Sequence, residues 1–273
     1  MNRQGEPAIF EPDYYQRLYD TEERHWWSRG MRKAMRGLLN ERLAERRNLR
    51  VLDVGCGTGY TLFSLAKHYC LDPHVVGSDL SQHALEFCRR RGISCLVRAN
   101  AERLPFVAES FDLILCIDTL QHLSSEAAMS TLEGIAHLLA PGGLLFLRTN
   151  SVWGHRKLTG VDPDRYRRYP PRQVVSLLEQ AGLSVERATH LNALPSLWGA
   201  LKEFLGPPRS APALGPGLSI RLYPSQLAWL NELLYWLLCL EALWLEHSGL
   251  DLRFGHSTGF VARCPVERSS RGA

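Results

Sequence analysis

Val51-Leu52-Asp53-Val54-Gly55-Cys56-Gly57-Thr58-Gly59-Tyr60 is the stretch on which the reading of this chain turns. Its first half is an apolar run suited to a strand buried on both faces. Its second half places three glycines at alternate positions before the apolar-periodic Thr61-Leu62-Phe63-Ser64-Leu65-Ala66. A strand therefore feeds a tight turn that opens a helix. Glycine suits such a turn because it tolerates unusual backbone angles and lets a ligand approach the main chain closely. This is the architecture of a nucleotide-cofactor site.

The next strand strengthens the reading. His74-Val75-Val76-Gly77-Ser78-Asp79 is apolar and ends in an acid 20 residues after the last glycine. A carboxylate at the tip of a second strand can accept both ribose hydroxyls of an adenosine, and it can equally cap the following helix.

Two cofactor classes use this geometry. Nicotinamide enzymes seat a pyrophosphate on the helix N-terminus, whereas here Asp53 stands two residues before the first glycine. A carboxylate there would repel a pyrophosphate but suits a cofactor bearing an ammonium and a sulfonium. Asp53-Val54-Gly55-Cys56-Gly57-Thr58-Gly59 closely resembles the first motif of class I S-adenosylmethionine (SAM) methyltransferases. That resemblance implies a three-layer α/β fold of the Rossmann-like type, with a mostly parallel seven-stranded sheet in the order 3-2-1-4-5-7-6.

Composition sets outer bounds. At 273 residues, 45% hydrophobic and 22% charged, the chain can bury a full core as one domain with an elaboration. A net charge of +4, with no basic stripe interleaved with aromatics, does not point to nucleic acid. The seven cysteines, Cys56, Cys70, Cys88, Cys95, Cys116, Cys239 and Cys264, are scattered without a C-x-x-C pair. They read as small buried hydrophobes in a reducing compartment, with no metal site. Met1 to Pro12 lacks an apolar signal core, so a cytoplasmic location is expected.

Residues from about Asp13 to Arg47 read as helical, with Tyr14, Tyr15, Leu18 and Tyr19 at helical spacing and Asp20-Thr21-Glu22-Glu23 as a second helix start. Adjacent Trp26 and Trp27 cannot share one helix face. Glu23-Arg24-His25-Trp26-Trp27-Ser28-Arg29-Gly30-Met31-Arg32 resembles the segment before the first motif in a bacterial methyltransferase subgroup, with departures at Ser28 and Met31. By that resemblance the segment folds over the cofactor, and Arg29 or Arg32 pairs with the SAM carboxylate.

Downstream, Ser81 caps a helix, and residues 93–97 form a third strand. Asn100-Ala101-Glu102 then resembles the adenine-contacting loop, with Asn100 where an aspartate is usual; its amide oxygen can still accept from the adenine amino group. The resemblance assigns Gly55, Cys56, Gly57 and Gly59 to the methionyl part, Asp79 and Leu80 to the ribose, and Asp53, Asp118 and Thr119 to the ammonium end. Ser110 to Asp118 reads as the fourth strand, and His122 leaves its carboxyl end, where open parallel sheets bind ligands. A helix from Leu132 to Leu139 is stopped by Pro141-Gly142-Gly143, and strand five follows at Leu144 to Leu147. Strand six follows a helix around Val174 to Leu178, and the last strand runs from Thr258 to Cys264.

The expected organisation is a helical cap at 1–48, a SAM-binding core at 49–190, a helical insertion or lid at 191–256, a closing strand at 257–265 and a flexible tail at 266–273. Arg148 to Pro171 is a basic, aromatic loop in which Arg167-Arg168-Tyr169 resembles a subgroup motif. The insertion carries a Pro/Gly linker and a Trp/Leu-rich helix from Ser225 to Glu246, whose longest uncharged run, Leu233 to Leu240, falls far short of the ~20 residues that span a bilayer. That helix is packed, forms a homodimer contact, or serves as a lid.

The resemblance implies SAM-dependent methyl transfer to a small molecule, leaving S-adenosylhomocysteine (SAH). A non-catalytic SAM-binding scaffold and a NAD-type oxidoreductase are the alternatives. Candidates for acid–base work are His25, His122, His155, Tyr166 and Tyr169, with His122 serving either as base or as a residue that shapes the pocket. Six of the seven tryptophans lie in the cap or the insertion. The expectation is therefore an amphiphilic acceptor, such as a natural-product, lipid-linked or isoprenoid intermediate, enclosed by Trp-bearing helices.

Overall fold

The computed structural model describes residues 12–44, 46, 48–69, 74–152, 167–197 and 227–266. Val51, Leu52 and Val54 are almost wholly inaccessible, because strand β1 (Val51–Val54) lies mid-sheet with layers on both faces. It pairs in parallel with β2 (Val75–Asp79) and β4 (Phe111–Ile117). Beyond β2 lies β3 (Leu96–Arg98), and beyond β4 lies β5 (Leu139–Asn150). The last strand, β7 (Ser257–Arg263), inserts antiparallel between β5 and β6 (Ser184–Leu191). The sheet order is β3-β2-β1-β4-β5-β7-β6, as the sequence predicts.

Alternation along the strands divides the core in two. Val51, Leu113, Leu115 and Phe146 face helices α2 (Trp26–Leu43) and α3 (Tyr60–Tyr69). Leu52, Ile114, Leu145 and Phe260 face α5 (Ser125–Leu138) and α6 (Pro171–Gln180). Helix α4 (Gln82–Arg90) is capped by Ser81, whose side chain accepts from the Ala84 N–H. It carries α1 (Pro12–Thr21), with Tyr15 buried against Ala84 and Phe87.

Three boundaries move from their sequence positions. The N-terminal helix breaks at residues 22–25, so Asp20 and Thr21 end α1, and Glu22 and Glu23 lie in the elbow before α2 starts at Trp26. The helix expected at Leu132 begins at Ser125, capped by the Ser124 side chain. Strand β5 starts at Leu139 and carries Pro141-Gly142-Gly143 within it, where the register against β4 shifts between Phe111 and Leu113. The Pro-Gly-Gly run is thus a bulge in the strand, not a loop before it.

The Trp/Leu-rich helix is α7 (Ala228–His247). It lies on the outside of α2, with Leu238, Ala242 and Leu245 joining the core. Gly30 and Gly37 make the close approach possible, since a Cβ at Gly30 would overlap Leu238 and one at Gly37 would stand 3.0 Å from the Ala242 carbonyl. Glu241 fixes the insertion's other end by accepting from the backbone N–H of Asn192 (2.6 Å) and Ala193 (2.7 Å).

Candidate cofactor site

The glycine turn is held by the second strand. The N–H groups of Gly55 and Cys56 both donate to the Ser78 carbonyl, at 2.8 and 3.0 Å. Asp79 accepts from the Gly57 N–H at 2.9 Å and from the Ser81 N–H at 2.8 Å, so one carboxylate ties the turn to the start of α4. Gly55 and Gly59 sit at φ of +76° and +78°, where a side chain would be strained. A Cβ on Gly59 would also lie 2.7 Å from Cys88 Sγ, so this glycine serves packing beneath the turn. Cys56 and Cys88 are buried with their sulfurs 3.7 Å apart.

The turn opens on a cavity of about 460 Å³ at the carboxyl ends of β1, β2 and β4. Its floor includes Asp53, which is 2% exposed and has a carboxylate oxygen, Oδ1, with no hydrogen-bond partner. Burial, reinforced by the charge of Asp79 and opposed by Arg148, pushes its pKa up to about 7. Burial also raises Asp79, against the backbone N–H groups that favour its charged form. An unpartnered buried acid beside a cavity is costly without a cationic guest. A Cβ built on Gly57, by contrast, would meet nothing within 4 Å.

Asp118, at the end of β4, adopts a left-handed backbone (φ +55°), which is uncommon for a non-glycine residue and typical of functional sites. Its N–H donates to the Arg148 carbonyl at 2.9 Å, and its carboxylate takes a forked pair from the same arginine. The Arg148 guanidinium lies 4.8 Å from the ring centre of Trp27. Next along the chain, Thr119 Oγ1 donates to the Val54 carbonyl at 2.9 Å. Gln121 and His122 follow on a 3₁₀ turn (Leu120–His122), with Nε2 of each 3.5 Å apart.

The lid over this floor comes from the N-terminus. Tyr14, Tyr15 and Leu18 of α1, Glu22 of the elbow, and Trp27, Ser28 and Arg32 of α2 all line the cavity. Glu22 accepts from Thr58 Oγ1 in the glycine turn and from Arg91 Nη2 at 2.8 Å, and its carbonyl accepts from Arg32 Nη2 at 2.9 Å. Arg91 lies 4.2 Å from the ring centre of Tyr19 and 4.6 Å from that of Tyr60. Burial lowers the Arg32 pKa to about 10, so it remains a cation facing the cavity.

The sheet order and the glycine turn between Asp53 and Asp79 are those of a methyltransferase fold, and the comparisons agree. A family profile for the methyltransferase domain matches residues 51–143. Residues 51–143 are thus a methyltransferase domain, set in a sheet with the fold of the class I SAM-dependent methyltransferases. An O-methyltransferase of Aspergillus nomiae is 35% identical over 114 residues, covering 39% of this chain and 49% of that protein. A ubiquinone biosynthesis O-methyltransferase of Xylella fastidiosa is 29% identical over 196 residues, covering 62% and 78%. The match thus spans about half the length of the first relative. A solved SAM-dependent methyltransferase from Archaeoglobus fulgidus shares the fold with a TM-score of 0.52 at 16% identity, over 85% of this chain and 94% of that one.

The cofactor of this methyltransferase fold is S-adenosylmethionine, and the residues present fit it. The unpartnered Asp53 oxygen suits its ammonium, Arg32 its carboxylate, and Asp79 its ribose. Of the residues assigned to the cofactor from sequence, Gly55, Cys56, Gly57, Leu80, Asn100, Ala101, Glu102, Asp118 and Thr119 also line this one cavity. The Asn100 amide is already used within its loop, accepting from the Glu102 N–H and donating to the Glu102 carboxylate, both at 3.1 Å.

Several expectations are corrected. Arg29 does not reach the cavity: it pairs with Glu232 at 2.6 Å and stacks 3.7 Å from the ring centre of Tyr235 on α7. His25 is buried outside the cavity lining, and burial lowers its pKa to about 4, so it stays neutral there. Tyr169 is a core residue beneath the 3₁₀ turn, donating to the Leu120 carbonyl at 3.4 Å. Trp229, Trp236 and Trp244 point outward on α7, so the insertion helix does not enclose the site. His155 and Tyr166 lie outside the described residues. Sequence reasoning missed Tyr14, Glu22, Thr58 and Gln121; an acid in the elbow and a hydroxyl within the glycine turn were the available signals for the Glu22–Thr58 bond.

Proposed function

We propose that this protein transfers the methyl group of SAM to an oxygen of a small, amphiphilic acceptor. Bound SAM supplies a methyl group activated by the positive sulfonium. The chain's own part is alignment: Asp53, Asp79 and Arg32 fix the cofactor's charged and hydroxyl groups, and the walls exclude water while holding the acceptor in line. The observation that carries the reading is the buried, unpartnered Asp53 oxygen facing the cavity that Asp79 also lines.

His122 is the one imidazole lining this cavity among the described residues, and we assign it the acceptor's proton. The names of the two relatives support oxygen as the methylated atom. Leu18, Trp27 and Leu123 supply an apolar wall, and the Asp118–Arg148 pair neutralises the charges beside it. An acceptor with an apolar body and one hydroxyl suits that lining.

The test pairs calorimetry of SAH binding with SAM turnover against phenolic and isoprenoid hydroxyl compounds, products being read by mass spectrometry. Binding with a mass gain of one methyl on oxygen is expected. Binding without any methylated product across that panel and a metabolite extract would favour the scaffold alternative.

A further inference from the structure

Helix α7 presents a second apolar face, opposite the one that covers α2. Trp229, Leu233, Trp236, Leu240, Leu243 and Trp244 are 44–62% exposed, with no charged residue between them along that face. Positions 229, 233, 236, 240 and 243 alternate steps of four and three, which is the repeat of a helix seam built to meet another helix. At the rim, Glu232 is taken up by Arg29. Soluble chains seldom leave so large an apolar stripe bare.

We infer that this face is the contact between two copies of this chain, with the α7 helices packed antiparallel about a two-fold axis. A two-fold contact must be self-complementary, and the stripe is so by position: about a centre between residues 236 and 237, Trp229 mirrors Trp244 and Leu233 mirrors Leu240. Antiparallel packing therefore sets tryptophan against tryptophan at both ends and leucine against leucine between them. The area also fits. Six half-exposed Trp and Leu side chains offer roughly 600–700 Å² per copy, against about 800 Å² per partner in a standard interface. The contact lies outside the cofactor cavity, so it joins two complete sites.

The experiment is light scattering after gel filtration on the full chain, with SAH binding measured on each variant. The wild type should run as a dimer. Trp236→Glu combined with Leu240→Glu should run as a monomer with SAH affinity within about threefold of wild type, which also certifies its fold. Independently, Trp236→Cys in a Cys95→Ser background, which removes an exposed native thiol, should cross-link to its own copy under mild oxidation because it sits beside the axis. A dimer that survives both glutamates and does not cross-link overturns the proposal. So does a monomeric wild type, whether it binds nothing through this face or sediments with phosphatidylglycerol vesicles.

Discussion

The hydroxyl of Thr58 donates a hydrogen bond to the carboxylate of Glu22, joining the elbow of the N-terminal helices to the glycine turn. Glu22 is buried, and desolvation raises its pKa while Thr58, Arg91 and Arg32 hold it down. The lid and the turn therefore share one buried polar cluster, and loosening the lid must loosen the turn. Thr58→Val should cost about 1–3 kcal/mol of stability, because it leaves a buried carboxylate short of a partner. It should also weaken SAH binding by roughly tenfold. Thermal denaturation and calorimetry read both, and a stability loss with unchanged affinity would uncouple lid from turn.

Asp79 accepts one backbone N–H on each oxygen and lines the cavity. An amide has only one accepting oxygen, so Asp79→Asn loses either the turn or the α4 cap as well as one ribose contact. A loss of SAH affinity of roughly a hundredfold is expected with the circular dichroism spectrum retained. Affinity within a few-fold of wild type would remove Asp79 from the ribose site.

Asp53 makes cofactor binding pH-dependent. In the free protein its pKa is pushed up to about 7, first by burial and then by Asp79, so below that pH it holds a proton. The ammonium of the cofactor favours the carboxylate form, so binding below about pH 7 releases a proton and apparent affinity rises with pH until it levels near 7. Stability of the unliganded protein runs the other way. A raised acid contributes fully below its unfolded value near 3.8, and that contribution is lost as pH rises through 7. Calorimetry in buffers of different ionisation heat counts the proton. Asp53→Asn should abolish its release; a proton still released by that variant would assign the linkage elsewhere.

His122→Phe should cut turnover about 10²–10⁴-fold with SAH affinity nearly unchanged if it takes the acceptor's proton. If turnover holds while the KM for the acceptor rises, His122 only shapes the pocket.

The sheet was legible because strands buried on both faces appear as nearly continuous apolar runs: Val51 to Val54, interrupted only by Asp53, Val75 to Gly77, and Leu113 to Ile117. The glycine turn and Asp79 were legible because their spacing answers to one ligand's shape. The lid was not. Tyr14 and Leu18 face a ligand cavity with the same periodicity that would face a core, and nothing local distinguishes the two. The outward tryptophans misled for a related reason: α7 is apolar on both sides, so its sequence cannot say which side meets α2. That choice was made by Gly30 and Gly37 on a helix some 200 residues earlier.

Strand β7 is the last of the described strands along the chain but lies between β5 and β6 in the sheet. While the chain is being synthesised, β5 waits with one hydrogen-bonding edge bare and β6 has no neighbour at all, until residues 257–263 have emerged. Long-range pairing of this kind closes slowly and leaves sticky edges in the interval. A message truncated between codons 192 and 256 would therefore encode every cofactor contact named above yet yield a product whose sheet is two strands short and prone to associate through the open edge of β5.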